Sequence, residues 1–167
     1  LSEPLRFDPL IHGVMPVAAA GAEPDQLLAL QLASAALEDA GYRDRDFPRE
    51  RCAVLLGRGG YIGPAMSRLN QRVRGSQELI SALETLQGPL DGVARERLRE
   101  QLLAPLPPYR PDSAIGLVPN LCAARIAQRL DLRGPAYTVD AACASALVAL
   151  AQGQALLASG AIDMAII

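Results

Sequence analysis

The chain has 167 residues, half of them apolar and a fifth charged, with 16 basic and 18 acidic side chains and a formal net charge of −2. That composition can build a core, and it excludes disorder, which needs few apolar residues and a large net charge. Every basic residue is arginine and none forms a block, which excludes a nucleic-acid footprint, and no apolar run nears the roughly 20 residues of a membrane span.

Residues 1–24 show no period and are punctuated by Pro4, Pro9, Pro16 and Pro24; they read as irregular structure with at most a short helical turn. Asp25 to Ala40 reads as a strong helix with Leu27, Leu28, Leu30, Leu32, Ala33, Ala36 and Leu37 on its apolar side and Gly41 as its stop. Cys52 to Leu56 is a short apolar run with the length of a buried strand. A glycine cluster follows at Gly57, Gly59, Gly60 and Gly63. Pro64–Arg74, Ser76–Leu86 and Asp91–Leu103 read as helices, the second with Leu79, Ile80, Leu83 and Leu86 at helical steps. The Arg-Glu alternation from Arg95 to Glu100 reads as a solvated face. Pro105, Pro107, Pro108 and Pro111 make a loop. Leu117–Leu130 is a candidate helix with Leu121, Ala124, Ile126, Ala127 and Leu130 inward. A turn at residues 131–135 leads to a strand at Ala136–Val139, a long helix of small residues to about Ser159, a stop at Gly160, and a closing strand at Ala161–Ile167. The apolar closing strand suits a central position in a sheet. Strand, helices, strand, helix, strand is the order of an α/β layered fold.

The chemistry-bearing candidates are few. The three cysteines, Cys52, Cys122 and Cys143, are odd in number and far apart, which argues against a disulfide framework and a CxxC pair. With one histidine, His12, a zinc site has too few ligands at metal spacing. Unpaired cysteines and an opening without a signal-peptide pattern give a cytoplasmic location as the expectation. The informative segment is residues 139–147, where a strand ends, the backbone turns and a helix begins at Cys143. A helix N-terminus favours a thiolate and offers backbone N–H groups to an oxyanion. Small neighbours, Ala141, Ala142, Ala144 and Ser145, leave room for a substrate. Spacing alone leaves two readings open, an activated nucleophile and a buried structural cysteine. Cys52 and Cys122, in apolar surroundings, read as core residues. The glycine cluster has the spacing G-x-G-G-x-x-G, off the dinucleotide fingerprint and without the acidic residue that should follow it, so it reads as a backbone turn.

Residues 139–150, VDAACASALVAL, resemble the active-site segment VDTACSSSLVAL of β-ketoacyl synthases, above all those of modular or iterative polyketide synthases and related multidomain lipid synthases. RIAQRLDLRGP at 125–135 resembles their RISYFLDLRGP, SGAIDMAI at 159–166 their SGECDMAL, and EPDQ with LEDAG in residues 23–41 their DPQQRLLLE and ALEDAG. FDPLIHGVMP at 7–16 is similar to FDxxFFGISP, which places His12 at an aromatic position and makes it a packing or surface residue rather than a base. The GRGGY run at 57–61 is faintly similar to iterative polyketide and polyunsaturated-lipid synthases.

The resemblance implies a thiolase-like layered αβαβα fold, of which residues 1–167 would be the N-terminal part of a ketosynthase domain, its first strand and C-terminal half absent. It implies Cys143 as the catalytic nucleophile of a β-ketoacyl-[acyl carrier protein] synthase. Cys143 would take an acyl chain from the phosphopantetheine arm of an acyl carrier protein and condense it with a malonyl-type extender. The expected partners are the carrier protein, acyl and malonyl thioesters, and a second copy in a homodimer; no metal, no separate cofactor, no nucleic acid and no membrane span are expected. Both family histidines lie downstream of the cysteine, in HGTGT-like and NIGH-like segments, and residues 1–167 contain neither. Three alternatives therefore remain: a catalytically incompetent piece with a structural or docking role, a thiolase-type acyltransferase acting on coenzyme A thioesters, and, disfavoured by the glycine spacing, a nucleotide-binding α/β domain. The expectation for residues 1–167 alone is no condensation and poor folding.

Overall fold

The computed structural model of the protein describes residues 6–43, 45–59, 63–108, 114 and 116–167. They form two compact units, one from residues 1–61 and 112–167, the other from residues 62–111.

The first unit is built on a parallel sheet of three strands in the order β2-β1-β3: β1 (Cys52–Gly57), β2 (Ala136–Val139) and β3 (Met164–Ile166). Val54 pairs with Ala136 and Gly57 with Val139 on one side; Cys52 pairs with Met164 and Val54 with Ile166 on the other. Successive side chains of a strand point to opposite faces, and β1 uses both. Cys52 and Val54 join Val14, Leu30, Ala33, Ala123, Ile126 and Leu132 in one core, while Ala53 and Leu55 join Ala149 and Ile162 in another. Residues 52–55 are wholly buried, which is why this strand reads as a continuous apolar run. The first core is supplied by α2 (Pro24–Asp39) and by a helix at Leu121–Arg129; the second by a helix at Ser145–Ala158.

A short α1 (Pro16–Gly21) precedes α2, and both start with proline, whose missing N–H costs nothing there. On α2 the buried side is Gln26, Leu30, Ala33 and Leu37, whereas Leu32 and Ala36 face outward. The helix expected from Leu117 begins instead at Leu121. Pro119 disfavours helical backbone at Val118, and the approach is made by turns whose N–H groups at Leu121 and Cys122 donate to Val118 and Pro119. The closing strand is shorter than the sequence suggests, and among the described strands it lies beside β1. Gly160 turns the chain at φ 69°, Ile162 plugs the core at 2% exposure, and the Asp163 N–H donates to the Arg51 carbonyl at 3.0 Å before pairing starts at Met164.

In the second unit, α3 (Pro64–Asn70) runs through a π turn at Gln71–Gly75 into α4 (Ser76–Gln87). The break expected near Gly75 is thus a bulge within one helix, where the Ser76 hydroxyl donates to the Arg72 carbonyl at 2.7 Å. Helix α5 (Gly92–Leu103) is capped by Asp91, whose carboxylate accepts from the Ala94 N–H at 2.7 Å. Arg95 bonds Glu84 across the α4–α5 pair at 2.5 Å. Of the α4 row, Ile80 is buried, but Leu79 and Leu86 are exposed, and the charged face of α5 is exposed as its sequence indicates. Helix α6 is Leu121–Arg129 and α7 is Ser145–Ala158. No described helix is long and apolar enough to cross a membrane.

Candidate active site

Strand β2 ends at Val139, and β1 reaches the same level at Gly57; the Arg58 N–H donates to the Val139 carbonyl at 3.0 Å. From there the chain must reverse onto the sheet face as α7, and it does so through one 3-10 turn, Ala142–Ala144. Ala141 has φ −132° and ψ 37°, and Ala142 lies in the left-handed region at φ 49°. A residue with a β-carbon adopts that conformation at a cost of order 1 kcal/mol or more. Cys143 follows at once and is exposed, whereas Cys52 and Cys122 are buried.

The surrounding hydrogen bonds fix this elbow. An Asp140 carboxylate oxygen accepts from the Ala142 N–H at 3.1 Å, an Asx-type turn. The Ser145 hydroxyl accepts from the Ala141 N–H at 2.8 Å and donates to the Ala142 carbonyl at 2.7 Å. The Ala144 N–H donates to Ala141 at 3.0 Å, and the Ser145 N–H to Ala142. Several N–H groups that the sequence offers to an oxyanion are therefore spent within the turn.

Below the elbow, Gly57 is the contact point. A β-carbon there would stand 2.4 Å from the Ala146 nitrogen and 2.6 Å from the Ser145 carbonyl carbon, both backbone atoms. The first turn of α7 thus rests directly on the β1 backbone, and only glycine permits that approach. This is the structural content of the first member of the glycine cluster; Gly60, with Tyr61 and Ile62, lies outside the described residues.

Beside the first turns of α7 is a cleft of about 660 Å³, lined by Ala146, Leu147 and Leu150 of that helix and by Leu56, Ala29 and Cys122. Arg58 and Asp25 pair at its margin at 2.6 Å, their side chains 13% and 30% exposed. The sequence gives no sign of this pair, because its partners are 33 positions apart in unrelated segments. Burial pushes the Cys122 thiol up to about 11, with a further push from Asp25 and opposition from Arg58 and Arg125; burial also raises Cys52. Both therefore stay protonated and shielded. His12 is in the N-terminal loop, stacked on Phe7 with ring centroids 4.9 Å apart, consistent with a packing residue. No cluster of three metal-ligating side chains occurs among the described residues.

The family model described as "Beta-ketoacyl synthase, N-terminal domain" matches residues 1–167. Over 162 residues the chain is 29% identical to polyketide synthase PksN of Bacillus subtilis (strain 168), covering 96% of this chain and 2% of that protein. It is 29% identical over 165 residues to 6-methylsalicylic acid synthase of Aspergillus terreus, and 29% identical over 161 residues to mellein synthase of Phaeosphaeria nodorum, in each case over 96% of this chain and 7% of the relative. The chain thus spans a small fraction of the length of these relatives.

Proposed function

The chain belongs to the β-ketoacyl synthase family, by its N-terminal domain, and from that premise we propose that it is the nucleophile-bearing part of a ketosynthase in a polyketide or fatty-acid-like synthase. The observation that carries this is the elbow: of the three cysteines, Cys143 alone is exposed, in the 3-10 turn that leads into α7 and beside a left-handed Ala142. The Cys143 thiolate attacks the thioester carbonyl of an acyl chain on a carrier protein's phosphopantetheine. The new C–S bond forms, the carbonyl's bond to the pantetheine sulfur breaks, that sulfur leaves as thiolate, and the Cys143 amide is the donor we assign to the carbonyl oxygen in the tetrahedral state. A malonyl-type thioester then loses carbon dioxide with the help of groups outside these residues, histidines by family resemblance. Its carbanion attacks the Cys143 thioester, a C–C bond forms, and the Cys143 sulfur leaves as thiolate. The metal-free, cofactor-free chemistry and the carrier protein as partner belong to this same reading.

The layered αβαβα architecture is supported by α7 itself. Its sequence, SALVALAQGQALLA, is apolar nearly all round, and a helix of that kind is a buried one. One side packs on the sheet through Ser145, Ala149 and Gly153, while Leu147 and Leu150 remain 70% and 54% exposed. We read that outer face as covered by a further layer of the complete domain. Among the described strands β2 has only β1 beside it, and its other side is the one a second copy would extend in a homodimer.

The test uses the protein carrying this region, its Cys143→Ala variant, an acyl-carrier thioester and a malonyl-carrier thioester. The acyl group is expected on Cys143 by peptide mapping, and the variant is expected to lose condensation by at least about 10³-fold. Condensation retained by the variant would remove Cys143 from the mechanism; acyl transfer from coenzyme A but not from the carrier would favour the thiolase-type reading.

A further inference from the structure

We propose that Ser145 is a positioning residue for Cys143, its hydroxyl holding the left-handed backbone of Ala142 that presents the sulfur; this rests on the reading of Cys143 as the acyl acceptor. The elbow needs something to hold it. Ala142 sits at φ 49° with a β-carbon, in a region that alanine leaves readily when nothing opposes it. Three successive peptide groups around it are gripped by side chains. Ser145 accepts from the Ala141 N–H at 2.8 Å and donates to the Ala142 carbonyl at 2.7 Å, while Asp140 accepts from the Ala142 N–H at 3.1 Å.

Ser145 is the inner of the two clamps, 5% exposed, so water is poorly placed to replace its hydroxyl. Its single donor and one acceptor site are both used, and both go to the elbow. An ordinary helix-capping hydroxyl accepts from an N–H two or three residues ahead. Here the hydroxyl turns back, to groups four and three residues earlier, so its bonds serve the turn that carries Cys143 rather than the helix that follows. The serine backbone is fixed in turn by Gly57, which lets Ser145 and Ala146 rest on β1. The chain of support runs from the central strand through Ser145 to the sulfur, and the serine itself takes no proton and touches no reacting atom.

The experiment compares Ser145→Ala, Ala142→Gly and the double variant in the protein carrying this region. Two rates are read: alkylation of Cys143 by limiting iodoacetamide, located by peptide mapping, and kcat and KM for acyl transfer from an acyl-carrier thioester. Ser145→Ala is expected to slow alkylation and to lower kcat by about tenfold with KM for the carrier unchanged. Adding Ala142→Gly is expected to restore most of both, because glycine occupies the left-handed region without a clamp. A hydroxyl that only fills space would not be replaced by a glycine three residues away. Unchanged rates in Ser145→Ala overturn the proposal, and so does a slow variant that Ala142→Gly fails to rescue. Should Ser145→Ala not accumulate as folded protein, the double variant decides: recovery of folded, Cys143-labelled protein supports the clamp, and its absence overturns it. Alkylation reports the elbow without any condensation, so it separates this proposal from the role of Cys143, which the Cys143→Ala variant tests.

Discussion

The two ends of α7 meet the sheet through glycine in different ways. At the N-terminal end, a β-carbon on Gly57 would collide with backbone atoms of Ser145 and Ala146 at 2.4–2.6 Å. Toward the C-terminal end, a β-carbon on Gly153 would meet the Cδ1 atom of Ile167 at 2.5 Å and of Leu55 at 3.4 Å. The first contact cannot yield without moving the helix off the strand. The second involves the far end of an exposed edge side chain, Ile167, which can rotate away. The helix is thus registered on the sheet at the end that carries the cysteine and left adjustable at the other. Backbone-on-backbone contact is how the fold fixes the height of the elbow above β1.

The sharpest test of this difference is in the thiols, since the fixed end presents one and the interior conceals two. At pH 8 the Cys122 thiol, held protonated up to about 11 and 2% exposed, offers about one thiolate in a thousand. Limiting iodoacetamide is expected to modify Cys143 at least about 100-fold faster than Cys122 or Cys52. Peptide mapping showing comparable modification would mean that the interior opens as readily as the elbow.

Of the changes at Gly57 and Gly153, Gly57→Ala should be the more destabilising, by about 3 kcal/mol, since overpacking against rigid neighbours costs ~1–3 kcal/mol and backbone is the most rigid of them. Pulse proteolysis across a urea series would measure it. A shift as small as that of a surface substitution would show that α7 can ride up on β1, and the contrast between its ends would fail.

Alkaline pH probes the other side of β1. The Cys122 thiol has a folded-state value near 11, above the ordinary ~8.5. The stability associated with its protonated form is complete below pH ~8.5 and is lost as pH rises toward 11. The expected loss is about 2 kcal/mol, discounted for a site that is not completely sealed. Cys122→Ala should flatten this part of the urea-stability profile, leaving the smaller contribution of Cys52, which is raised by burial in the same direction.

The smallest effect belongs to Gly153→Ala. Alanine gains roughly 1 kcal/mol of helix propensity over glycine, and the side-chain rearrangement it forces on Ile167 offsets part of that. The net change is expected within about 0.5 kcal/mol of zero, read in the same proteolysis series. A loss as large as that of Gly57→Ala would make both ends of the helix equally rigid.

The sequence by itself determined the elements and the family. Cys52–Leu56 announced a buried strand because β1 uses both its faces, and Pro24, Gly41 and Gly160 marked helix limits through backbone preferences that act locally. The Cys143 segment was legible because its small residues and its strand-to-helix change are properties of nine consecutive positions. What only the tertiary structure decided involves residues distant in sequence or a conformation that side chains do not announce. The pairing of β3 with β1 joins segments more than 100 positions apart. The Arg58–Asp25 pair joins α2 to the end of β1, and the role of Gly57 appears only when α7 is laid on the strand. The left-handed Ala142 is invisible in the sequence because alanine does not favour that region; in the structure it is bonded by Asp140 and Ser145, above the close approach at Gly57.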